Sequence, residues 1–443
     1  MSSLTINRFP VDTGRSGWEA ISRRTLPMKT LYEHIQSDWL IIGAGFAGLS
    51  AARRLSQLRP GEKIVILDAC ELATGPAGRN SGFMIDVPHN LSSGEYVGSG
   101  DEATATEISR NRQAIDFARS ASVEYGMSQR TFNPWGKINA SATRRGVEHN
   151  AHYAKALSKL GEQYRLLDAR DMREITGSAY FRDGLYTPGA VMIQPAQYIR
   201  DLATGLASKT ELYEHSPVCE LKRSNGVWQA KTPNGSVTAP KVILSVNGHI
   251  QNFGFYRGRL MHIFTYASMT PAFRDEAGKD NWALLPADPM GATLRKITTA
   301  DGASRIVIRT RFTYDPSIKV SEKRVQAIAA EQRSSLSARF PDLRTHAFEY
   351  SWAGRLCLSL NNVPAFGEVD ENLYSACCEN GLGTVKSTFA GMMAAELATK
   401  TGSNALSKFE QQAAPKRLPP NPVAWLGINA TIRLQEIRAG REG

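Results

Sequence analysis

The stretch from Asp38 to Ala69 constrains the fold more than any other part of the chain, because it fits one order of strand, glycine turn, helix and strand. Leu40, Ile41 and Ile42 form a short apolar run suited to a strand buried on both faces. Gly43, Gly45 and Gly48 follow where the spacing turns helical, and Pro60-Gly61 ends the helix. Lys63 to Leu67 is a second buried strand, closed by Asp68. In such a unit the first glycine permits the tight turn and the second lets backbone approach a pyrophosphate. The third allows close helix–strand packing. The helix N-terminus adds N–H groups and positive dipole for an anion. An acid ending the second strand accepts hydrogen bonds from the adenosine ribose hydroxyls. The glycine spacing alone is common, but with strand, helix, strand and terminal acid in order it indicates a dinucleotide site. Asp68 rather than an arginine argues against a 2′-phosphate, so FAD or NAD is expected.

At 443 residues the chain is long enough for two domains, and 42% hydrophobic with 21% charged residues is ordinary for a soluble globular protein. Its apolar runs fall far short of the roughly 20 residues of a membrane span. The first residues mix polar, charged and Pro/Gly types without an apolar core, so no secretory signal is visible and a cytoplasmic location is the expectation. Five cysteines without CxxC spacing support neither a disulfide framework nor a zinc site, and no metal is expected. The net charge of +11 is spread along the chain, and no RNP motif, KH loop or long basic segment accompanies it. The expectation is therefore no nucleic-acid partner, and a basic surface that attracts anionic solutes.

Apolar periodicity predicts helices over Glu102–Tyr125 and Gly146–Leu160, both outside the dinucleotide pattern. After Pro195 comes a helix, then a meander with turns at Asn225-Gly226 and Asn234-Gly235 and a buried strand over Lys241–Val246. Alternation from about Leu260 to Arg311 predicts a second, antiparallel sheet. A strand near Tyr374–Ala376, a glycine turn and a helix over Ser387–Ala398 follow, and beyond Thr401 the tail is Pro-rich and then basic and amphipathic.

FAD is separated from NAD by the segment Gly75-Pro76-Ala77-Gly78-Arg79-Asn80-Ser81-Gly82. Its glycines permit close backbone approach, and Arg79 offers a cation to phosphates or to the anionic end of a flavin ring. The segment resembles the GxxGRNxG stretch of the D-amino-acid oxidase/glycine oxidase/sarcosine oxidase superfamily of FAD-dependent oxidoreductases. That resemblance implies a loop running beneath the isoalloxazine. It continues through the turn opening the helix at Pro195 and through Trp352-Ala353-Gly354 to the Gly381-x-Gly383 turn, covering about Asp38 to Ala398. It implies an α/β fold in which a Rossmann-type, glutathione-reductase-like FAD-binding domain takes residues 38–90, 190–250 and 350–400. An antiparallel-sheet substrate-binding domain takes 91–189 and 251–349, leaving the arm 1–37 and the tail 401–443 outside. Phe46, Ala47, Ala69, Val218 and Gly248 are further cofactor contacts implied in this way. The N–H groups of Gly381, Leu382 and Gly383, with Thr384, would face the flavin pyrimidine.

The activity implied is oxidation of the carbon–nitrogen bond of a small amine or amino acid, by hydride transfer to flavin N5 and imine hydrolysis, with O2 or an electron carrier as acceptor. A dehydrogenase of an amine or 2-hydroxy acid that feeds a carrier or quinone is the alternative, and an RNA-associated flavoprotein stands behind it. Family members with a carboxylate-binding arginine carry it one residue further past Trp-x-Gly than Arg355 stands, and a one-residue shift reverses the face on a strand. Arg309 and Arg311 share a strand face on simple alternation and are rival clamps; the bland reading of each arginine is a solvated strand residue. Tyr266 and His262 are candidate donors to substrate, although a lone Tyr or His is more often simply packed. Lys386, one residue off the family's flavin-side lysine, is a candidate cation favouring reduced flavin and oxygen chemistry. Cys357 lies close to where some sarcosine oxidases attach flavin covalently, but free cysteine is usually a small buried hydrophobe.

Overall fold

Trp39–Ile42 forms a strand with four buried residues, flanked on both sides by parallel neighbours. Its side chains alternate between two cores. Trp39 and Ile41 join one cluster, Leu40 and Ile42 the other. A strand apolar on both faces must be covered on both, and this sheet is. In the computed structural model, residues 3–88, 101–274, 278–343, 347–410 and 412–443 are described. The domain junction expected at residues 90 and 91 lies outside them.

The sheet has six strands in the order Thr210–Tyr213, Ile64–Leu67, Trp39–Ile42, Lys241–Leu244, Leu373–Cys377 and Ala365–Asp370. The first five run parallel and the last is antiparallel. One face is covered by the helices Phe46–Leu58 and Gly383–Thr399, which pack on each other. Gly391 makes that contact possible: a Cβ there would stand 2.1 Å from the Ala47 carbonyl oxygen. The other face is covered by a five-stranded sheet built on the expected meander, Glu220–Ser224, Val227–Lys231 and Ser236–Ala239. Its two edge strands come from the arm, Ser3–Thr5 and His34–Gln36.

An eight-stranded, mostly antiparallel sheet stands across the carboxyl ends of the parallel strands. Leu260–Met269 pairs with Ser304–Tyr314 on one side and with Tyr350–Ser359 on the other. Tyr350–Ser359, grouped with the cofactor-binding segments in the sequence reading, is thus the edge of this second sheet. The tail, expected to be basic and amphipathic, also joins it, but its apolar residues are not gathered on the buried side: Trp425, Leu426, Leu434 and Ile437 are exposed. The helix Val423–Ala439 lies on Ser304–Tyr314, where Glu436 accepts from the Phe312 N–H at 2.9 Å and Asn429 exchanges bonds with Tyr314. Beyond that helix, buried Glu442 accepts the N–H groups of Ala142 and Thr143 at 2.8 and 2.9 Å. Among the described residues no helix is long and apolar enough to cross a membrane.

The helix contact generates a test. Gly391→Ala pushes a methyl into backbone, which cannot step aside, and is expected to cost about 1–3 kcal/mol as an overpacked core. Gly402→Ala, where an added Cβ meets nothing within 4 Å, is expected to stay within about 0.5 kcal/mol of the parent. Equal melting temperatures for the two variants would remove the packing argument.

Candidate functional site

All the parallel strands end on one edge, so the turns leaving them converge on a crevice, the usual ligand position in open α/β sheets. A cleft of about 330 Å³ lies there, bounded by the turns 43–47, 67–71 and 379–384 and, opposite, by the antiparallel sheet. The three glycines of the first turn have different reasons to be glycine. Gly43 has φ +104°, and a Cβ on it would meet the Ser245 carbonyl oxygen at 2.5 Å. A Cβ on Gly48 would stand 1.9 Å from the Gly43 carbonyl oxygen, so the helix could not seat on its strand. At Gly45 a Cβ would meet only the Ala77 methyl, at 3.6 Å, and would otherwise occupy the cleft. Gly43, Gly45, Phe46 and Ala47 line the cleft, whereas Gly48 is withdrawn beneath it. No side chain caps the helix Phe46–Leu58, leaving its first N–H groups for a ligand.

Asp68 and Ala69 line the cleft beside this turn. The Asp68 carboxylate accepts the Ala44 N–H at 2.7 Å on one oxygen and the Cys70 N–H at 2.8 Å on the other. Burial raises its pKa against the pull of those two N–H groups. Val218 and Gly248 also line the cleft; a Cβ on Gly248 would meet the His262 ring at 2.4 Å.

The segment Gly75–Gly82 behaves differently from expectation at its one charged residue. Arg79 is buried outside the cleft lining and donates to the carbonyl oxygens of Thr74 at 2.6 Å, Thr13 at 3.0 Å and Ala353 at 3.2 Å. It ties the loop to its surroundings rather than offering a cation to a ligand. Gly78 is also withdrawn, because a Cβ there would stand 1.8 Å from the Ala73 carbonyl oxygen. Asn80 and Ser81 do line the cleft. Trp352 packs behind the loop and donates from Nε1 to the Arg79 carbonyl at 3.1 Å.

The last turn enters the helix Gly383–Thr399 through Gly381 and Leu382, both with positive φ, and Gly381, Leu382, Gly383 and Thr384 line the cleft. Thr384 donates its hydroxyl to the Phe83 carbonyl. Lys386 turns away from the cleft and pairs with Glu107 at 2.7 Å.

On the opposite wall a β-bulge separates the two candidate clamps. Thr265 pairs with Phe312 and Tyr266 with Thr310, so Arg311 is the extra residue, with φ +59°. Simple alternation therefore fails there. Arg311 points to Glu331 and Glu436, at 2.6 and 3.0 Å, while Arg309 lines the cleft. Arg309 stands 4.9 Å from the Phe312 ring centroid and donates from Nη2 to the Thr293 hydroxyl at 2.7 Å; its buried Nη1 has no partner. Burial lowers its pKa to about 10. Tyr266 follows Thr265 of the cleft wall and turns to the opposite face of its strand, where it packs with Val325 and Ile328 and its hydroxyl bonds Thr313 at 2.7 Å.

Arg355 does line the cleft, but its guanidinium is committed to Asp12 at 3.0 and 2.8 Å and lies 2.6 Å from His249 Nε2. Burial first, then Arg355, lowers His249 to about 3 and His262 to about 4, so both rings are neutral at pH 7. Buried Cys357 lies beside them on the cleft wall.

Two participants escaped the sequence reading. The arm crosses the open edge of the cleft: Ile6 donates its N–H to the Cys219 carbonyl at 2.9 Å, and Ile6, Arg8, Phe9 and Pro10 line the cleft. Further along, Ser16 donates to the Gly78 carbonyl and Trp18 Nε1 to the Asn80 carbonyl, both at 2.9 Å. Its mixed polar composition carried no such signal. The second is Glu379, a cleft residue only 6% exposed. Burial raises its carboxyl to about 7, against its own N–H, the Ser387 hydroxyl and the Lys386 ammonium. An acid placed between a buried strand and a glycine turn was the available signal.

Residues 38–397 match the DAO family, described as FAD dependent oxidoreductase. A probable oxidoreductase OrdL of Haemophilus influenzae is 27% identical over 406 residues, covering 88% of this chain and 88% of the relative. Gamma-glutamylputrescine oxidoreductase of Escherichia coli is 23% identical over 403 residues, covering 86% and 88%. Among solved structures, glycine oxidase from Geobacillus kaustophilus shares the fold with a TM-score of 0.69 at 17% identity, over 86% of this chain and 100% of that one.

Glu379 makes the stability of the chain depend on pH. Its folded value near 7 is above the ordinary 4.5, so between these values the folded chain keeps a proton that the unfolded chain releases. Its contribution to stability therefore falls as pH rises through that window. Glu379→Gln removes the titration. The variant's gain over the parent is expected to grow by about 3 kcal/mol between pH 4.5 and pH 8. Denaturant unfolding at the two pH values checks this, and a pH-independent difference would count against it.

Proposed function

The chain belongs to the DAO family of FAD-dependent oxidoreductases, and from that premise we propose that it oxidises the carbon–nitrogen bond of a small amine or amino acid bearing a carboxylate. The residues present fit FAD. Gly45 leaves free the space that a side chain would fill, and the uncapped N-terminus of Phe46–Leu58 offers N–H groups and positive dipole to a pyrophosphate. Each Asp68 oxygen takes one backbone N–H and keeps acceptor capacity for a ribose hydroxyl. The turn Gly381–Gly383 brings N–H groups to the other end of the cleft. When bound, FAD supplies a two-electron acceptor for the hydride on the carbon next to the substrate nitrogen.

The observation that carries the substrate reading is Arg309. Arg79 and Arg355 are satisfied within the protein, and Arg311 leaves the cleft. Arg309 keeps a buried Nη1 without a partner on the cleft wall. An unpaired buried donor on a guanidinium is costly, and a carboxylate satisfies it in a charge-assisted bond. Phe83, Ile85, Leu285 and Phe312 line the same cleft with apolar surface that excludes water from the bound substrate. The relatives' names, a gamma-glutamylputrescine oxidoreductase and a glycine oxidase, support amine and amino-acid chemistry as the class. The pairing of Lys386 with Glu107 favours a second reading of the acceptor. With that cation neutralised, electrons pass to a carrier rather than to oxygen; rapid mixing of reduced enzyme with air, compared with a quinone, separates the two.

Two variants test the assignment. Gly45→Val is expected to give folded protein without flavin absorbance, because the branched side chain fills the pyrophosphate position and meets little protein; parental FAD occupancy would overturn that role for Gly45. Arg309→Ala is expected to lower kcat/KM for a carboxylate-bearing substrate about 100- to 1000-fold, the loss of a charge-assisted contact of roughly 3–4 kcal/mol. The decarboxylated analogue should change little. Equal losses on both compounds would place Arg309 outside substrate recognition.

A further inference from the structure

Glu379 has no part in the assignments above, although it stands in the same cleft as Arg309 and is 6% exposed. It follows the strand Leu373–Cys377 and precedes Gly381, at the mouth of the helix Gly383–Thr399. Its surroundings do not neutralise it. Ser387 supplies a hydroxyl, and the neighbouring cation, Lys386, is already held by Glu107 at 2.7 Å. From the strands packed against it come Cys357 and Cys377, whose thiols are kept protonated by burial. His249 and His262, further along the wall, are neutral, and Arg355 belongs to Asp12. Among the described residues no ion pair reaches Glu379. A buried carboxylate needs a cation, and here the entering ligand can provide it.

Resting on the amine-oxidation reading, we propose that Glu379 receives the ammonium group of the substrate and takes one proton from it. In that step an N–H bond breaks with its electron pair left on nitrogen, and an O–H bond forms on the carboxylate; nothing is oxidised. The free amine so formed would carry the lone pair that two-electron chemistry supplied by FAD requires on nitrogen. Glu379 and Arg309 then offer one acidic and one basic contact along a cleft with apolar walls, a pattern matching a zwitterionic amino acid. Burial, which holds the carboxyl near 7, leaves it able both to accept and to release a proton at neutral pH.

The test uses FAD-loaded enzyme, parent and Glu379→Gln and Glu379→Asp variants. Two probes are titrated by calorimetry and by flavin absorbance: 2-aminoisobutyrate, which has no hydrogen on its α-carbon, and isobutyrate, which lacks the ammonium. The parent is expected to prefer 2-aminoisobutyrate at least tenfold. Glu379→Gln should lose that preference while keeping its affinity for isobutyrate, and Glu379→Asp should retain part of it. With the amino acid that bleaches the flavin fastest, the reduction rate of the parent should rise with pH through a limb near 7 that is missing in Glu379→Gln. A Gln variant with undiminished preference, or a parent that binds both probes alike, overturns the proposal. So does a Gln variant whose flavin spectrum or FAD retention changes before any probe is added, because Glu379 would then serve the cofactor. Failure of every amine and amino acid to bleach the parent's flavin would bring down the amine-oxidation reading and this proposal with it.

Discussion

The seating of the first helix on its strand is the contact on which the rest of the molecule depends. At residue 48 a Cβ would stand 1.9 Å from the Gly43 carbonyl oxygen, and at residue 391 a Cβ would stand 2.1 Å from the Ala47 carbonyl oxygen. Two helices and a strand thus meet with backbone against backbone, and no side chain can be interposed. The approach points the free N–H groups of Phe46–Leu58 into the crevice at the strand ends. It also brings in the helix Gly383–Thr399, whose entry turn closes the other end of the cleft. Dispersion rewards so close a seat, because a gap of about 0.5–1 Å already forfeits a quarter to a half of each contact.

Charge placement decides what the cleft can recognise. Four arginines could serve as carboxylate clamps or cofactor cations by position in the sequence, and the structure distributes them by the partners available. Arg79 finds three carbonyl oxygens, Arg355 finds Asp12, and Arg311 finds Glu331 and Glu436. Only Arg309 keeps an unpartnered nitrogen among these four. Desolvated guanidinium groups demand acceptors, and the incomplete set at Arg309 is the ground on which an anion contact is proposed there. Glu379 applies the same logic with opposite sign. Histidines that could have competed as proton carriers are silenced by burial and by Arg355.

The arm and tail show why local patterning stops short of the full fold. Ser3–Thr5 and His34–Gln36 are three-residue strands, each with a single central apolar residue and too short to announce itself, formed because a meander edge was available to pair. Asp12 has meaning only beside Arg355, across 343 positions of sequence. The tail was expected to be amphipathic, but the helix Val423–Ala439 leaves Trp425, Leu426, Leu434 and Ile437 exposed, and its seat on Ser304–Tyr314 was not legible.

By itself, the sequence determined the nucleotide-binding unit, since Gly43, Gly45, Gly48 and Asp68 act through backbone geometry that is local to a strand–turn–helix–strand. It also pointed to a second, antiparallel sheet from Leu260 onward, although Leu260–Met269 and Trp282–Pro286 are buried on both faces, so the one-sided alternation that suggested the sheet does not describe them. Tertiary structure alone decided which charged side chains face the cleft. A single extra residue at Arg311 reverses the alternation of a strand, and a single acid at Asp12 occupies an arginine that would otherwise be free. Both effects come from partners distant in sequence, through strand register and ion pairing, and neither leaves a mark on the local pattern.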